Sequence, residues 1–268
     1  MTLQEYAARG LELSRQAGVL ETLHAYFLQQ LPRLHLACDL FGLFNAKLGD
    51  VLEVGPFFSY TPFILRAKAS SYTVLEGDDP AAYPLKPLYE QHTVKADFDD
   101  LFELFGPTHG AAHALCYPDA SFDTVLCWET MEHFNFNPVK FVRELRRVTR
   151  PGGRVYITAP NRASFQSLVA LMLGRGEENQ VEAFFQYEDY VCSGKKAFYG
   201  FHWHEYTANE LRHLFAKAGF KVVRCGTMVA FQQHAHTSAI RQAARNVNRV
   251  MGKLLPRFGT HVFLEGIR

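Results

Sequence analysis

The chain has 268 residues, of which 48% are hydrophobic and 21% are charged, a composition typical of globular proteins. The N-terminal stretch MTLQEYAARGLEL carries charges from its first turn, so we expect no signal peptide there, and no apolar run approaches a membrane span. The cysteines are irregularly spaced without a C-x-x-C pair, which favours a reducing cytoplasm over a disulfide framework.

Charge is distributed unevenly along the chain, although the net charge is only +1. Residues 1–210 contain 18 Lys and Arg against 26 Asp and Glu, whereas residues 211–268 contain 10 against one, Glu265. Basic residues recur every four positions in 240–257 opposite an apolar face, which predicts an amphipathic helix with a basic stripe. The stripe is either a solvated face or a contact for phosphates, nucleic acid or an anionic membrane surface. Nucleic acid is disfavoured because the region lacks interleaved aromatic residues.

The predicted elements begin with helices in residues 2–30, and Pro32 is expected to interrupt them before a third short segment, LHLACDLFGLF. Apolar runs of strand length follow, with segments of helical period between them, clearest at 138–149. The predicted strands are 51–55, 72–76, 92–96, 122–128, 154–159, 221–225 and 261–267. Alternating strands and helices predict an α/β fold with a mostly parallel sheet.

Candidate ligand-binding residues occur where these strands end. Ligands of such sheets bind beyond the carboxyl ends of the strands, near the point where the strand order reverses. The first strand ends with Glu53 and Gly55, and a glycine there allows a ligand to approach the backbone closely. Glu76 ends the second strand, where an acid can bind ribose hydroxyls. Asp97 and Phe98 follow the third, so they could bind and cover an adenine base, and Asp99, Asp100 and the 114–117 segment are the alternatives to Asp97.

Three consecutive motifs carry a family resemblance: PDASFD at 118–123, then VLCWETMEHF, then FVRELRRVTRPGGRVYITAPN. Together they resemble the core of class I S-adenosylmethionine-dependent methyltransferases. The later stretch HWHEYTANELRHLFAKAGF resembles a bacterial subset associated with sugar, surface-polysaccharide or natural-product modification. The resemblance implies a Rossmann-like sheet of seven strands with an antiparallel last strand. It also implies methyl transfer from S-adenosyl-L-methionine, with S-adenosyl-L-homocysteine as the product.

The resemblance also implies which residues bind the cofactor. Glu53 and Gly55 would lie near the methionine end of the cofactor. In the rest of this loop we expect Pro56 to stiffen the turn, Ser59 to help satisfy the following helix N-terminus, and Phe57 or Phe58 to pack against the methionine end or the cap helices. Glu76 would bind the ribose, Asp97 and Phe98 the adenine, and Cys127 and Trp128 would line the sulfonium side. The chain departs from the family pattern where Phe57 and Ser59 replace small residues, and where residues 99–117 separate Phe98 from the PDASFD motif.

Several residues are candidates for the acceptor side. His133, Glu129 and His204 are candidate catalytic bases, although the Glu132-His133 pair could instead make a structural hydrogen bond. Tyr199, His202 and Tyr206 are candidate substrate contacts on a polar pocket rim. The pairs His202-x-His204 and His234-x-His236 could each ligate zinc or iron, but no cysteine ligands or HExxH frame accompany them. We therefore predict no metal site.

We predict one methyltransferase domain over residues 1–268. It comprises a helical cap (1–48), a cofactor-binding core (49–161), an aromatic-rich insertion that covers the substrate as a lid (162–206), and C-terminal helices and strands (207–268). The expected acceptor is a small molecule, which could be anionic, and a sugar or natural-product metabolite methylated at oxygen fits best. The alternatives are an RNA methyltransferase that uses the basic C-terminal region, and a non-catalytic nucleotide-binding or scaffold protein. The sequence does not predict the oligomeric state.

Overall fold

Helices and strands alternate along most of the chain. The computed structural model describes residues 1–17, 21–57, 59–77, 85–99, 101, 105, 114–174, 184–185, 188, 202–230 and 239–268. The helices are α1 (Leu3–Ala17), α2 (Glu21–Leu40), α3 (Thr61–Leu65), α4 (Lys86–Gln91), α5 (Pro138–Val148), α6 (Phe165–Met172), α7 (Ala208–Lys217) and α8 (Ala239–Leu254). The strands are β1 (Gly49–Val54), β2 (Ala69–Glu76), β3 (Lys95–Phe98), β4 (Phe122–Trp128), β5 (Thr149–Pro160), β6 (Lys221–Met228) and β7 (His261–Ile267). Short 3₁₀ turns span Arg66–Lys68, Met131–His133 and Pro256–Phe258.

The seven strands form one sheet in the order β3-β2-β1-β4-β5-β7-β6. The pairings among β1 to β5 are parallel, whereas β7 is antiparallel to both β5 and β6. The predicted sheet, including its antiparallel last strand, is therefore confirmed. The strand order reverses between β1 and β4, which places the switch point at their carboxyl ends.

Each face of the sheet packs against its own hydrophobic core. Successive residues of a strand point to opposite faces, and in β1 Val51 packs into one core while Leu52 and Val54 pack into the other. The first core also contains buried residues of α1 to α4, and the second contains those of α5 and α7. The sheet is thus the middle of three layers.

Local sequence signals explain where helices α5 and α7 begin. Asn137 caps α5, since its side chain accepts a hydrogen bond from the N–H of Val139, and Pro138 occupies the first turn, where no amide donor is needed. The predicted apolar stripe of α5 is buried at Phe141, Val142, Leu145 and Val148. Thr207 and Glu210 form the expected capping box at the start of α7.

Two expectations about element boundaries are wrong. Pro32 does not interrupt the N-terminal helices but lies inside α2, which continues to Leu40. An internal proline costs roughly 3 kcal/mol, and burial of Leu31, Leu34 and Cys38 on the same helix offsets this cost. The third strand is Lys95–Phe98 rather than 92–96, because the left-handed backbone of Thr93 (φ +53°) precedes it.

The predicted lid at 162–206 is described only in part, by α6, residues 184–185, 188 and the segment from residue 202 onward. Most of its remaining aromatic stretches lie outside the described residues. None of the helices in the described part of the chain is long and apolar enough to span a bilayer.

Candidate active site

The loop after β1 begins at the predicted glycine. Gly55 has a left-handed backbone (φ +62°), and a Cβ atom there would lie 2.7 Å from Cγ2 of Thr130, so a side chain would not fit. Phe57 also has a positive φ of +27° and is partly exposed. Ser59 is buried, and its Oγ accepts a hydrogen bond from the N–H of Thr61, the first residue of α3. The loop therefore combines one obligatory glycine with a serine that satisfies a helix donor. Pro56 is buried, and Phe58 lies outside the described residues.

Two buried carboxyl groups lie at the carboxyl ends of β1 and β2. Oε2 of Glu53 accepts a hydrogen bond of 2.6 Å from the hydroxyl of Tyr72. Burial raises the pKa of Glu53 to about 8, even though that hydrogen bond acts in the opposite direction. Glu76 is the last residue of β2, and its Oε1 accepts a hydrogen bond of 3.0 Å from the hydroxyl of Tyr89 on α4. Both predicted cofactor carboxylates therefore lie at the strand ends.

Asp97 and Phe98 are the last two residues of β3 rather than the residues that follow it. Oδ2 of Asp97 lies 2.9 Å from the hydroxyl of Tyr117 and 2.9 Å from Nζ of Lys95. Phe98 is partly buried and packs against the first core. The structure therefore brings the PDASFD side of the chain next to Asp97 through Tyr117.

Glu129 follows β4 in an unusual backbone conformation. Its φ is +50°, which costs a non-glycine residue about 1–2 kcal/mol and is commonest at functional sites. Its N–H donates to the carbonyl of Thr158 on β5 at 2.9 Å. Oε2 of Glu129 lies 3.2 Å from Nη1 of Arg33 on α2 and 3.5 Å from Nε2 of His261 on β7. Three distant parts of the chain thus meet at this carboxylate.

Burial and neighbouring charges shift the pKa values of Glu129 and His261. Burial disfavours ionisation of Glu129, but the neighbouring His261 and Arg33 outweigh it and hold the pKa of Glu129 below its usual range. Burial lowers the pKa of His261, with a further contribution from Arg33. Since the guanidinium of Arg33 is permanently charged, Arg33 is the fixed cation that pairs with the Glu129 carboxylate.

A second polar group surrounds Glu132 in the 3₁₀ turn after β4. Oε1 of Glu132 lies 3.9 Å from Nε2 of His133, whose ring centroid is 5.0 Å from that of His202. The N–H of Trp203 donates to the carbonyl of Glu132 at 2.7 Å, which holds the 202–206 segment against this turn. Nδ1 of His202 lies 2.9 Å from Oε1 of Glu205. Burial and the negative charge of Glu129 raise the pKa of Glu132 well above its usual range.

The remaining acceptor-side candidates lie around these groups. His204 is exposed, with Nε2 4.0 Å from Oε1 of Glu210 and its ring against Tyr206. Tyr206 is buried in the second core, and burial raises the pKa of its hydroxyl. Tyr199 lies outside the described residues. The structure therefore places His202 beside His133 rather than pairing it with His204.

Buried polar atoms without a hydrogen-bond partner among the described residues concentrate at this edge of the sheet. They include Nε of Arg33, Oε1 of Glu53, Nε1 of Trp128, Oε1 of Glu129 and Oε2 of Glu132. Each such atom costs about 1–3 kcal/mol when it is left unsatisfied. Four of them at the carboxyl ends of β1 and β4, together with Nε of Arg33 on α2, indicate a binding site for a polar ligand. Cys127 beside Trp128 is buried, and burial raises the pKa of its thiol.

Arg33 and His261 belong to this group of residues, although no pattern in the sequence indicated them. Arg33 lies in a helix of the N-terminal cap, and His261 begins the last strand, so neither follows a parallel strand. Their polar character at positions otherwise surrounded by buried apolar residues is the signal that could have found them.

A cleft of 720 Å³ lies at the opposite edge of the sheet, where the strands begin, and Gly49 and Thr124 are among the residues that line it. Its position excludes it from the site at the carboxyl ends.

Comparison with known proteins identifies related sequences. Residues 25–224 match a family described as a methyltransferase domain. A Mycolicibacterium smegmatis protein named as an S-adenosylmethionine-dependent methyltransferase is 27% identical over 173 residues, covering 65% of this chain and 52% of that protein. The chain thus spans about half the length of the curated relatives it matches.

Solved structures share the fold. One is a chain of the complex between the Haloferax volcanii Trm112 methyltransferase activator and a methyltransferase, with a TM-score of 0.57, 14% identity, and coverage of 96% of this chain and 97% of that chain. Another is an S-adenosylmethionine-dependent methyltransferase from Mesorhizobium loti, with a TM-score of 0.52, 12% identity, and coverage of 90% and 98%. At these identities the similarity establishes the fold alone.

Proposed function

Because the chain belongs to the S-adenosylmethionine-dependent methyltransferase family, we propose that it methylates a small-molecule acceptor, a sugar or natural-product metabolite, at oxygen. The observation that carries this proposal is the group of unpartnered buried polar atoms at the carboxyl ends of β1 and β4. They are suited to a ligand with several hydrogen-bonding groups, and they lie at the switch point of the sheet.

The residues at this edge fit the cofactor. Oε1 of Glu53 and Nε1 of Trp128 have no partners among the described residues. The cationic amino group of a bound methionine moiety would favour ionisation of Glu53 and donate to its Oε1, and the methionine carboxylate could accept from the indole N–H. Glu76 ends β2, where a carboxylate can accept hydrogen bonds from both ribose hydroxyls. Asp97 and Phe98 at the end of β3 would contact the adenine. When bound, S-adenosylmethionine supplies an electrophilic methyl group and leaves as S-adenosylhomocysteine.

The acceptor side is assigned to the polar groups after β4. As the acceptor oxygen forms its bond to the methyl carbon, its O–H bond breaks, and the proton passes to this group and then to water. Pairing with Arg33 reduces the proton affinity of Glu129, and His204 is exposed, with Nε2 4.0 Å from Oε1 of Glu210. We therefore assign proton removal to the residues around His133. Holding the acceptor close and aligned supplies much of the remaining rate enhancement.

A small acceptor is favoured over RNA because three arginines of the basic region 211–268 make contacts within the protein. Nε of Arg224 lies 2.6 Å from Oε2 of Glu265, which also pairs with Arg154. Arg212 donates to the carbonyl of Cys225, and Arg268 donates to backbone carbonyls. The carboxylate of Glu265 offsets the charge of Arg224, and the carbonyl contacts occupy guanidinium donors that a phosphate would otherwise use.

The experiment is a methyl-transfer assay with panels of sugars, nucleotide sugars and natural-product alcohols, in which S-adenosylhomocysteine and the methylated product are both quantified. For an active acceptor, His133→Ala is expected to lower kcat by at least about 100-fold. His213→Ala, at an exposed position of α7, is the matched control and should retain wild-type turnover. Methyl transfer to RNA but to none of the small molecules would contradict the proposal, as would unchanged turnover in His133→Ala.

A further inference from the structure

Three side chains after β4 and before α7 form a cluster with the composition of a metal site. Among the residues that the structure describes, Glu132, His133 and His202 each offer a ligand atom, and these atoms lie within 4.8 Å of one another. Glu132 and His133 are adjacent in the chain, whereas His202 comes from the segment that Trp203 ties to Glu132. We propose that this cluster binds a divalent transition-metal ion, of the zinc type, through two imidazoles and one carboxylate.

The carboxylate is positioned to be a ligand. The side chain of Glu132 is only 1% exposed, and its Oε2 has no hydrogen-bond partner among the described residues. A buried carboxylate oxygen without a donor is costly, and a bound cation would satisfy it directly. Its other oxygen already lies 3.9 Å from Nε2 of His133. The ligand geometry therefore requires small side-chain movements, since ligands of a tetrahedral zinc ion lie roughly 3.4 Å apart.

The second histidine has the supporting contact that metal ligands need. Nδ1 of His202 lies 2.9 Å from Oε1 of Glu205, so Nδ1–H donates a hydrogen bond to the carboxylate. In this tautomer Nε2 carries the lone pair that can bind a metal ion. Metal-bound histidines characteristically donate their other ring nitrogen to a carboxylate or carbonyl in this way, which fixes the ring orientation. The side chain of His202 is 39% exposed, which gives an ion a path from solvent.

The charges around the cluster also favour a cation. The carboxyl groups of Glu129, Glu132 and Glu205 lie in and beside the cluster, and the permanently charged Arg33 is already paired with Glu129 at 3.2 Å. The sequence pattern pointed to His202 with His204, but the structure brings His202 together with His133 instead. A tertiary arrangement, rather than an alternating pair on one strand, thus creates the ligand set.

Three protein ligands leave at least one coordination position open, as in catalytic zinc sites. This part of the inference rests on the proposed function. An ion there would bind the acceptor's hydroxyl oxygen and lower its pKa, so that the proton would pass to water as the oxygen forms its bond to the methyl carbon. His133 would then act as a ligand rather than as the base. Ion binding itself is measured without methyl donor or acceptor, so its failure is distinguishable from failure of the methyl-transfer assay.

The test uses untagged protein stripped with a chelator, titrated calorimetrically with Zn²⁺, with Co²⁺ absorption as a second measurement. We expect one ion per chain and a tetrahedral Co²⁺ spectrum. His133→Ala and His202→Ala should weaken binding at least about 100-fold, and Glu205→Gln about 10- to 100-fold. Because a change at buried Glu132 could prevent folding, the variants of the partly buried His133 and His202 carry the test, with circular dichroism confirming their folding.

Two controls separate this site from other histidines. His213→Ala on α7 and the double variant His234→Ala/His236→Ala should bind Zn²⁺ as the wild type does. Absence of binding tighter than millimolar would overturn the proposal. Unchanged affinity in folded His202→Ala, or loss of the ion in the His234/His236 double variant, would also overturn it.

Discussion

Nη1 of Arg33 lies 3.2 Å from Oε2 of Glu129, across 96 residues of sequence. This contact joins α2 of the N-terminal cap to the residue that follows β4, at the centre of the candidate active site. Both side chains are largely buried, with 13% and 5% exposed. Helix α2 therefore contributes to the candidate site as well as covering one face of the sheet.

Replacing Arg33 should destabilise the protein strongly. Arg33→Met leaves the Glu129 carboxylate buried without its partner, and breaking a buried pair from one side costs about 3–5 kcal/mol of unfolding free energy. The additional change Glu129→Gln should recover part of that loss because it removes the uncompensated charge. Urea denaturation of the two single variants and the double variant measures these terms.

The matched control is Arg9→Met, which breaks the exposed pair between Arg9 and Glu12 in α1. Exposed pairs contribute about 0–1 kcal/mol, so this variant should differ little from the wild type. Equal effects of Arg33→Met and Arg9→Met would contradict a buried ion pair at the site.

Stability should depend on pH through Glu53. Its pKa is about 8 in the folded protein, above its ordinary value of 4.5, so the folded state holds a proton that the unfolded chain has lost. This contribution to stability is present below pH 4.5 and is lost as pH rises through about 8. In Glu53→Gln the dependence should disappear, so the stability of the wild type relative to this variant should fall between pH 6 and pH 8 and then level off. Parallel denaturation profiles over that interval would contradict a buried protonated carboxyl group.

Gly55 should tolerate alanine far less than Gly152 does. Both have left-handed backbones, with φ of +62° and +79°, so alanine costs each about 1–2 kcal/mol. At Gly55 the new Cβ would also lie 2.7 Å from Cγ2 of Thr130, whereas at Gly152 nothing lies within 4 Å. Overpacking adds about 1–3 kcal/mol. Thermal and urea denaturation of the two alanine variants should separate them, and similar losses would show that Thr130 does not restrict the loop.

The sheet and its strand-end residues could be predicted because they follow from local patterns. Apolar runs identified the strands, the stripe in α5 was buried as expected, and Thr207 with Glu210 forms the predicted cap. In a parallel sheet the carboxyl ends of strands converge, so Glu53 and Glu76 could be placed at one edge from their positions alone.

The acceptor side could not be predicted in the same way, because its contacts join segments distant in sequence. Arg33 reaches Glu129 from the cap, and His261 reaches it from the last strand. His202 meets His133 only because Trp203 hydrogen-bonds to the turn after β4. The sequence predicts a helix break at Pro32 because proline destabilises a helix interior, but α2 continues through it. Burial of apolar side chains of α2 against the rest of the protein offsets the local cost of the proline.

The central claim is that the carboxyl ends of β1, β2 and β4 bind S-adenosylmethionine, and calorimetric titration of the purified chain tests it most directly. We predict one site per chain for S-adenosylmethionine and for S-adenosylhomocysteine, weakened at least about 10-fold by Glu76→Ala, since the ribose would lose charge-assisted hydrogen bonds. Glu90→Ala, which removes an exposed carboxylate from α4, should bind as the wild type does. Absence of binding to either ligand, or equal binding by the wild type and Glu76→Ala, would contradict the account.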